Sequence, residues 1–340
     1  MPVVDLRSDT VTRPTPAMYQ AMISAELGDD VFGDDPTVNR LQERMAELLG
    51  KEAALYVPSG TMSNQIALRA QTEPGNQIVL EHGAHIYRYE AGAPAALSGL
   101  LVTCVPTADG ILSWEQIAAA LNPDDVHAAA PALVCLENTH NRAGGRVLPQ
   151  SGVVAIGEQV HARGLRLHLD GARLWNAHVA SGRTLAELAA PADTVSVCFS
   201  KALGAPVGSV LAGDAVTLKK AHRIRKMFGG GMRQAGLLAA ACLFALDNHL
   251  ERLAEDHANA SYLAASVTNG LLTVNHPVDT NIVIFDVSAP ADENRVLAYL
   301  AEREILGVPF GPGRVRLVPN LQTSESDMAR TIEVLNSFTG

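Results

Sequence analysis

The feature that most constrains the fold of this chain is a regular alternation of short apolar runs with helical segments, from about residue 50 to residue 230. The runs are continuously apolar, which is typical of strands buried on both faces of a mainly parallel sheet. We predict helices at 61–70, 114–121 and 151–162. We predict strands at 53–57, 77–80, 99–103, 132–136, 165–169, 194–199 and 207–212, the last one reversed in direction at the sheet edge. The expected fold class is therefore α/β, with a mainly parallel sheet between helices.

The rest of the chain predicts a smaller α+β domain. A helical region runs from residue 232 to about 269, with a break near Asn248. It is followed by strands at 281–285 and 314–318 and by helices at 293–303 and 325–338. A length of 340 residues fits about two domains. We assign residues 26–245 to the large domain and residues 1–25 and 246–340 to the small one.

Charge and composition exclude several classes of function. The formal net charge is −10, and no cluster of Lys and Arg is interleaved with aromatic residues, so we expect no nucleic-acid partner. No apolar run reaches the roughly 20 residues of a membrane span, and the longest one, 236–246, predicts a buried helix. The start of the chain has no signal-peptide block, and the four cysteines have no metal-binding spacing. We expect a cytoplasmic protein with no membrane partner and no bound metal.

Polar residues follow several of the predicted strands directly. They are Ser59, Gly60 and Thr61, the stretch 137–140, Asp170 and Arg173, and Ser200 with Lys201. Because open α/β sheets bind ligands outside the carboxyl ends of their strands, these residues predict one shared site.

Lys201 and Asp170 together indicate pyridoxal 5'-phosphate as the cofactor. The amine of a Lys forms a Schiff base with the aldehyde of this cofactor. An Asp beside the pyridine nitrogen keeps that nitrogen protonated, so that the ring accepts electrons. A strand that ends in Asp170 and a later strand that leads to Lys201 supply both groups, which predicts an amino-acid enzyme.

The turn at Ser59, Gly60 and Thr61 is a candidate phosphate site, because a helix N-terminus offers free amides and the positive end of the helix dipole. The ordinary interpretation of Ser59 is a simple N-cap. Arg173 either binds a substrate carboxylate, hydrogen-bonds the ring hydroxyl of the cofactor, or lies on the surface of the next helix.

His85 is a candidate for stacking on the cofactor ring or for acting as a base. Tyr89 and Glu90 follow closely, and their ordinary interpretation is a solvated helical turn. Further along, three glycines at 229–231 lie between Lys226 and Arg233. Such a loop either only reverses the chain or binds an anion, including one across a subunit boundary.

With these residues in place, the chain resembles the low-specificity L-threonine aldolases of the aspartate-aminotransferase-like, fold type I group of pyridoxal phosphate enzymes. The matching stretches are spread over nearly the whole chain in the order of that family. They are 5–14 (DLRSDTVTRP), 28–36 (GDDVFGDDP), 50–54 (GKEAA), 58–64 (PSGTMSN), 84–90 (AHIYRYE), 136–141 (LENTHN), 169–173 (LDGAR), 200–201 (SK) and 229–236 (GGGMRQAG).

The resemblance implies a role for each matching residue. Lys201 would carry the cofactor, Asp170 would pair with the pyridine nitrogen, His85 would stack on the ring, and Gly60 and Thr61 would hold the phosphate. Three further residues, Ser8, Arg173 and Arg316, would bind the substrate carboxylate. His127 matches a position that faces the substrate β-hydroxyl, and Lys226 and Arg233 would reach a neighbouring subunit's site. A homodimer or homotetramer with shared active sites is implied.

Two departures from the family pattern stand out. Members of the family often have Thr-His after the Arg-Leu-Val of the last strand, where this chain has Pro319 and Asn320. The usual Tyr of the 28–36 stretch is Phe32, so one hydroxyl is missing near the expected subunit boundary.

The expected reaction is retro-aldol cleavage of L-threonine, L-allo-threonine and other β-hydroxy-α-amino acids to glycine and an aldehyde. The base that removes the hydroxyl proton is left open between His85, His127 and a water held by either. The alternative on the same fold is a β-eliminating amino-acid lyase. A non-catalytic binding protein is the third hypothesis, and the intact Lys201 and Asp170 argue against it.

Overall fold

The computed structural model describes residues 2–340. The strands of the described chain are β1 (Val4–Asp5), β2 (Ala53–Val57), β3 (Gln77–Glu81), β4 (Leu101–Val105), β5 (Pro131–Glu137), β6 (Arg166–Gly171), β7 (Thr194–Cys198), β8 (Ser209–Gly213), β9 (Leu272–Thr273), β10 (Val283–Val287), β11 (Ile305–Leu306), β12 (Val308–Pro309) and β13 (Arg314–Leu317). The helices are α1 (Pro16–Ile23), α2 (Pro36–Leu49), α3 (Gly60–Gln71), α4 (His85–Arg88), α5 (Ala93–Ser98), α6 (Trp114–Ala120), α7 (Gln150–Ala162), α8 (Leu174–Ser181), α9 (Leu185–Ala189), α10 (Ala215–Met227), α11 (Gly236–Asn248), α12 (Leu253–Ser266), α13 (Glu293–Ala301) and α14 (Glu325–Asn336).

A seven-stranded sheet with the order β2-β8-β7-β6-β5-β3-β4 forms the centre of the larger part of the molecule. The five strands β3 to β7 pair in parallel, whereas β8 is antiparallel to both of its neighbours. Every residue of β3, β7 and β8 is buried, because helices cover both faces of the sheet. The carboxyl ends of the parallel strands therefore meet at one edge.

The strands and helices predicted with their own bounds occur with ends shifted by at most two residues, whereas the helical region predicted from 232 to about 269 is shorter and consists of α11 and α12, from Gly236 to Ser266. The capping box predicted at the start of α6 is present, since Ser113 and Gln116 each bind the backbone of the other. One expectation was wrong in part. The strand at 207–212 is reversed as predicted, but it pairs on both sides, and β2 occupies the sheet edge instead.

A second, four-stranded antiparallel sheet with the order β12-β13-β10-β9 forms the smaller part of the molecule. The start of the chain belongs to this smaller part. Strand β1 pairs in parallel with β11 in a separate two-stranded sheet, and Val4 and Leu6 lie in the same apolar core as residues of α12 and α14. Helix α1 lies elsewhere: its buried Met18 packs into the core of the large sheet. The predicted boundaries at residues 25 and 245 stay a prediction.

None of the helices within residues 2–340 has the length and apolar character that crossing a membrane requires.

Candidate active site

The site is built where the carboxyl ends of β5, β6 and β7 meet the first turns of α3 and α4. Asp170 lies at the end of β6 and is 1% exposed. Its Oδ2 accepts a hydrogen bond from Asn64 Nδ2 at 2.8 Å, and its Oδ1 accepts one from the backbone of Ala172 at 3.1 Å. These two donors fix the orientation of the carboxylate, as a partner of a ring nitrogen requires.

His85 begins α4 and is about one-third exposed at its side chain. Its Nδ1 lies 3.0 Å from Glu90 Oε1, and its backbone amide donates to Glu137 Oε2 at 2.6 Å. Burial alone would lower the pKa of His85. The hydrogen bond with Glu90 and the charges of Asp170 and Glu137 outweigh burial and raise that pKa above its usual value.

The turn at Ser59, Gly60 and Thr61 has the geometry of a phosphate-binding helix start. Ser59 is the N-cap of α3, and its hydroxyl accepts from the amide of Met62 at 3.2 Å. A Cβ added to Gly60 would lie 2.5 Å from Cys198 Sγ at the end of β7, so only glycine allows this close approach. The N-cap interpretation is therefore correct, and it leaves the first helical amides free for an anion.

Arg173 forms a buried bidentate ion pair with Asp9. The two N···O distances, from Nε and from Nη2, are both 2.7 Å, and Asp9 is completely buried. Burial alone would raise the pKa of Asp9, but Arg173, with Lys201 and Arg316 nearby, lowers it to about 2. Since Asp9 occupies two of its nitrogens, Arg173 has Nη1 left for another anion.

Arg316 lies beside this pair. Its Nη1 donates to Asn141 Oδ1 at 3.1 Å and its Nη2 to the backbone oxygen of Arg7 at 3.0 Å, while its buried Nε has no hydrogen-bond partner within the described chain. Burial and the charge of Arg173 lower the pKa of Arg316 to about 10. Two arginines that converge with one unsatisfied donor suit a carboxylate ligand.

Ser8 and Lys201 reach the same region from parts of the chain that are far apart in sequence. Ser8 precedes the short helical turn at Asp9–Val11, and its hydroxyl lies 3.4 Å from Asp9 Oδ1. Lys201 follows β7 by three residues and is half-buried, and its backbone oxygen accepts from the Thr12 hydroxyl at 2.7 Å. The start of the chain thus fixes the segment that carries Lys201.

Pro319 and Asn320, the departure from the family pattern, have a structural role. Asn320 is completely buried and donates to the backbone oxygens of Asp5 at 3.0 Å and Val318 at 3.1 Å. It joins β1 to the segment after β13, and therefore supports the backbone on which Arg316 lies.

Lys226 and Arg233 are both exposed, at the end of α10 and just after it. Arg233 Nη1 lies 3.3 Å from Asp29 Oδ2. The glycine run between them packs on the first turn of α3, since a Cβ on Gly230 would lie 2.3 Å from Met62 Sδ. Phe32, on the neighbouring loop, is 75% exposed. Their expected reach into a neighbouring subunit stays a prediction.

His127 is not brought to this edge of the sheet within the chain. It is exposed in the loop between α6 and β5. Gln77, the first residue of β3, binds this loop. Its Oε1 accepts from the backbone amide of Asn122, and its own backbone amide donates to the backbone oxygen of Ala130. The loop therefore lies at the amino ends of β3 and β5, opposite Asp170 and Lys201.

Sequence reasoning missed three groups of the site, Asp9, Asn64 and Glu90, whereas Glu137 belongs to the stretch 137–140 that was predicted at this edge of the sheet. The ordinary interpretation of Glu90, a solvated turn, is wrong, since this residue is 2% exposed and its carboxylate accepts from Asn64 and Gln65. Asp9 and Asn64 lie inside the stretches 5–14 and 58–64, so their place in these motifs was the available signal. Nothing in the spacing shows that their side chains meet those of Arg173 and Asp170.

One group of three potential metal ligands occurs within residues 2–340. It consists of His85, Glu90 and Asp170, with one ligand atom of each within 4.8 Å of the others. Both carboxylates already accept amide hydrogens of Asn64. The expectation that this protein binds no metal stays a prediction.

Comparison with known proteins assigns the family. The profile of the beta-eliminating lyase family matches residues 5–290. A low specificity L-threonine aldolase of Escherichia coli O157:H7 is 45% identical over 99% of both chains, and low-specificity L-threonine aldolase 1 of Arabidopsis thaliana is 43% identical over 97% of this chain and 94% of the relative. The structure of a threonine aldolase from Leishmania major superimposes with a TM-score of 0.85, at 25% identity, over 98% of both chains.

The architecture is that of the fold type I pyridoxal phosphate enzymes, as the resemblance implied. The chain belongs to the low-specificity L-threonine aldolases, within the beta-eliminating lyase family. The family implies pyridoxal phosphate, and the residues fit this group: a Lys, a buried carboxylate, an imidazole and a glycine-dependent helix start lie at one sheet edge.

The ion pair of Asp9 and Arg173 predicts an acid-sensitive contribution to stability. Since the folded pKa of Asp9 lies below the unfolded value of 3.8, its contribution is complete above pH 3.8 and is lost as the pH falls through about 2. Asp9→Asn leaves Arg173 buried without a counter-charge and should cost about 3–5 kcal/mol of unfolding free energy at pH 7. Urea unfolding at several pH values measures both effects. An equal loss at pH 7 and pH 2.5 would contradict the ion-pair explanation.

The close approach at Gly60 predicts a specific loss of cofactor binding. Gly60→Ala would push the first turn of α3 away from β7 and should weaken pyridoxal phosphate binding on the order of tenfold, the equivalent of one charge-assisted hydrogen bond. Equilibrium dialysis measures this. Gly152→Ala in α7 is the matched control, since a Cβ there meets nothing within 4 Å. Equal affinities of the two variants would show that the turn does not hold the phosphate.

Proposed function

We propose that this protein cleaves L-threonine and L-allo-threonine, with other β-hydroxy-α-amino acids, to glycine and an aldehyde, using pyridoxal 5'-phosphate. The observation that carries the proposal is the placement of Asp170 at the end of β6 and of Lys201 three residues after the adjacent strand β7, in a chain that is 45% identical to an aldolase of this name. When bound, pyridoxal phosphate supplies an electron sink for the charge left on Cα when a bond to that carbon breaks.

The residues divide the work of binding. Lys201 would hold the cofactor covalently, Asp170 would hold a proton on the pyridine nitrogen, and the turn at Ser59, Gly60 and Thr61 would bind the phosphate. Because Asp170 is buried and its carboxylate is fixed by two donors, it would pair with a charged ring nitrogen in a low-dielectric environment.

The two arginines and Ser8 would orient the substrate. Arg173 Nη1, the unsatisfied Nε of Arg316 and the Ser8 hydroxyl are the donors left for the substrate carboxylate. A clamp on the carboxylate would fix rotation about the Cα–N bond of the substrate and so select the Cα–Cβ bond as the one that breaks. Removal of the β-hydroxyl proton, by His85, by His127 or by a water held by either, then releases the aldehyde.

We further propose a cytoplasmic homodimer or homotetramer with shared active sites. Exposed Lys226 and Arg233 on either side of the glycine run, and the exposed aromatic ring of Phe32, support a subunit boundary at this loop. The four free cysteines are consistent with a reducing compartment.

The decisive test incubates the cofactor-loaded protein separately with L-threonine and L-allo-threonine. We expect equimolar acetaldehyde and glycine from both substrates. Lys201→Ala should lose turnover together with the borohydride-reducible link to the cofactor. Pyruvate from serine or cysteine without acetaldehyde from threonine would move the assignment to a β-eliminating lyase, and full activity of Lys201→Ala would overturn it.

The position of His127 generates a separate prediction. Since its loop lies at the far end of the sheet, it would reach a substrate only from a neighbouring subunit. We expect His127→Phe to lower the rate and to change the ratio of rates on the two diastereomers, with chain folding unaffected because the residue is exposed. His161→Phe is the control, because His161 is another exposed histidine. Unchanged rates and ratio would remove His127 from the site.

A further inference from the structure

Glu90 is a buried carboxylate that has no role in the binding and catalysis described above. Its side chain is 0% exposed, and three donors converge on it. Asn64 Nδ2 lies at 2.8 Å from Oε1, Gln65 Nε2 at 2.6 Å from Oε2, and His85 Nδ1 at 3.0 Å from Oε1. Burying a carboxylate costs folding free energy unless donors satisfy it, and here three side chains supply those donors.

The orientation of the Asn64 side chain is fixed by His168. Burial lowers the pKa of His168 to about 4, so its ring is neutral at pH 7. His168 Nδ1 lies 2.8 Å from the Thr194 hydroxyl, and its Nε2 lies 3.1 Å from Asn64 Oδ1. The Asn64 oxygen therefore faces His168, and both amide hydrogens point at carboxylates, one at Glu90 and one at Asp170.

This arrangement determines which nitrogen of His85 carries hydrogen. Glu90 Oε1 only accepts, so His85 Nδ1 donates, and Nε2 is the nitrogen left to gain or lose a proton. The charged groups that face the ring are Glu90, Asp170 and Glu137, and together they favour the protonated imidazole against the effect of burial on the pKa. Of the three, Glu90 is the one that forms a hydrogen bond with a ring nitrogen.

We propose that Glu90 is a positioning residue, which holds His85 in the Nδ1–H form and directs Nε2 to the reacting side of the site. The role rests on the proposed aldolase function. The β-hydroxyl proton passes to Nε2, directly or through a water, while the Cα–Cβ bond breaks. The positive charge gained by the ring is then balanced by Glu90 on the opposite nitrogen, and Asn64 donates to both that carboxylate and the carboxylate of Asp170.

The test measures the pKa of His85 itself in the cofactor-loaded protein. Exchange of the imidazole C2 hydrogen for deuterium, followed by peptide mass spectrometry across a pH series, gives this value for each histidine. We expect His85 above the ordinary 6.5 in the unmodified chain, and lower by about one unit or more in Glu90→Gln. Gln65→Met is the matched control, since it also breaks a hydrogen bond to Glu90 but keeps the charge beside His85, and it should leave the pKa nearly unchanged.

Activity is the second readout. In Glu90→Gln, kcat for threonine cleavage should fall roughly ten- to a hundredfold, the range seen when a partner that orients a metal-bound histidine is removed. KM should change little, because the carboxylate clamp is untouched, and the acidic limb of the kcat/KM profile should move to lower pH.

Each outcome decides a distinct point. A His85 pKa at or below 6.5 in the unmodified chain, which needs no variant to fold, overturns the role of Glu90. An equal pKa shift in Glu90→Gln and Gln65→Met overturns it as well, because disturbed packing would then explain both. If the unmodified protein shows the raised pKa but forms no acetaldehyde from threonine, the proposed function fails while the pairing of Glu90 with His85 stands.

Discussion

The site depends on the buried ion pair of Asp9 and Arg173, because that pair joins the smaller part of the molecule to the larger part. Asp9 belongs to the segment that begins with β1 and packs with the small sheet, whereas Arg173 follows β6 of the large sheet. A bidentate pair at 2.7 Å in a water-excluded position has little freedom to shift. The neighbouring bond from Thr12 to the backbone of Lys201 extends the same connection, so the reactive lysine is positioned by a segment almost two hundred residues away.

Buried charge in the site follows one rule: acids are satisfied by donors that are themselves fixed. Glu137 accepts the backbone amides of His85 and Asn141, and Asp170 accepts from Asn64 and Ala172. Because the interior strengthens each such bond and penalises each unpaired group, the network holds its members in one geometry. The donors left without partners are therefore informative, and the Nε of Arg316 is such a donor beside the expected substrate position.

The sequence predicted which strand ends carry the chemistry, because buried parallel strands are continuously apolar and their polar successors must lie at one edge. Asp170, Lys201 and the turn at Gly60 follow from that argument alone. Glu90 does not, since a Glu two residues after a four-residue helix has no periodicity to show that the chain turns inward. Asn320 is similar: its departure from the family pattern is visible in the sequence, but its hydrogen bond to the backbone of Asp5 joins residues that are 315 positions apart.

His85 and His127 illustrate what separates a positioned histidine from a motif match. Both were candidates for the base, yet only His85 has a buried partner that determines its protonated nitrogen, whereas His127 lies exposed at the far end of the sheet. A base must present one defined lone pair to the substrate, and a freely rotating imidazole does so only part of the time. Within one chain, the physical requirements for proton transfer therefore converge on His85. His127 would gain such definition only when another subunit surrounds it.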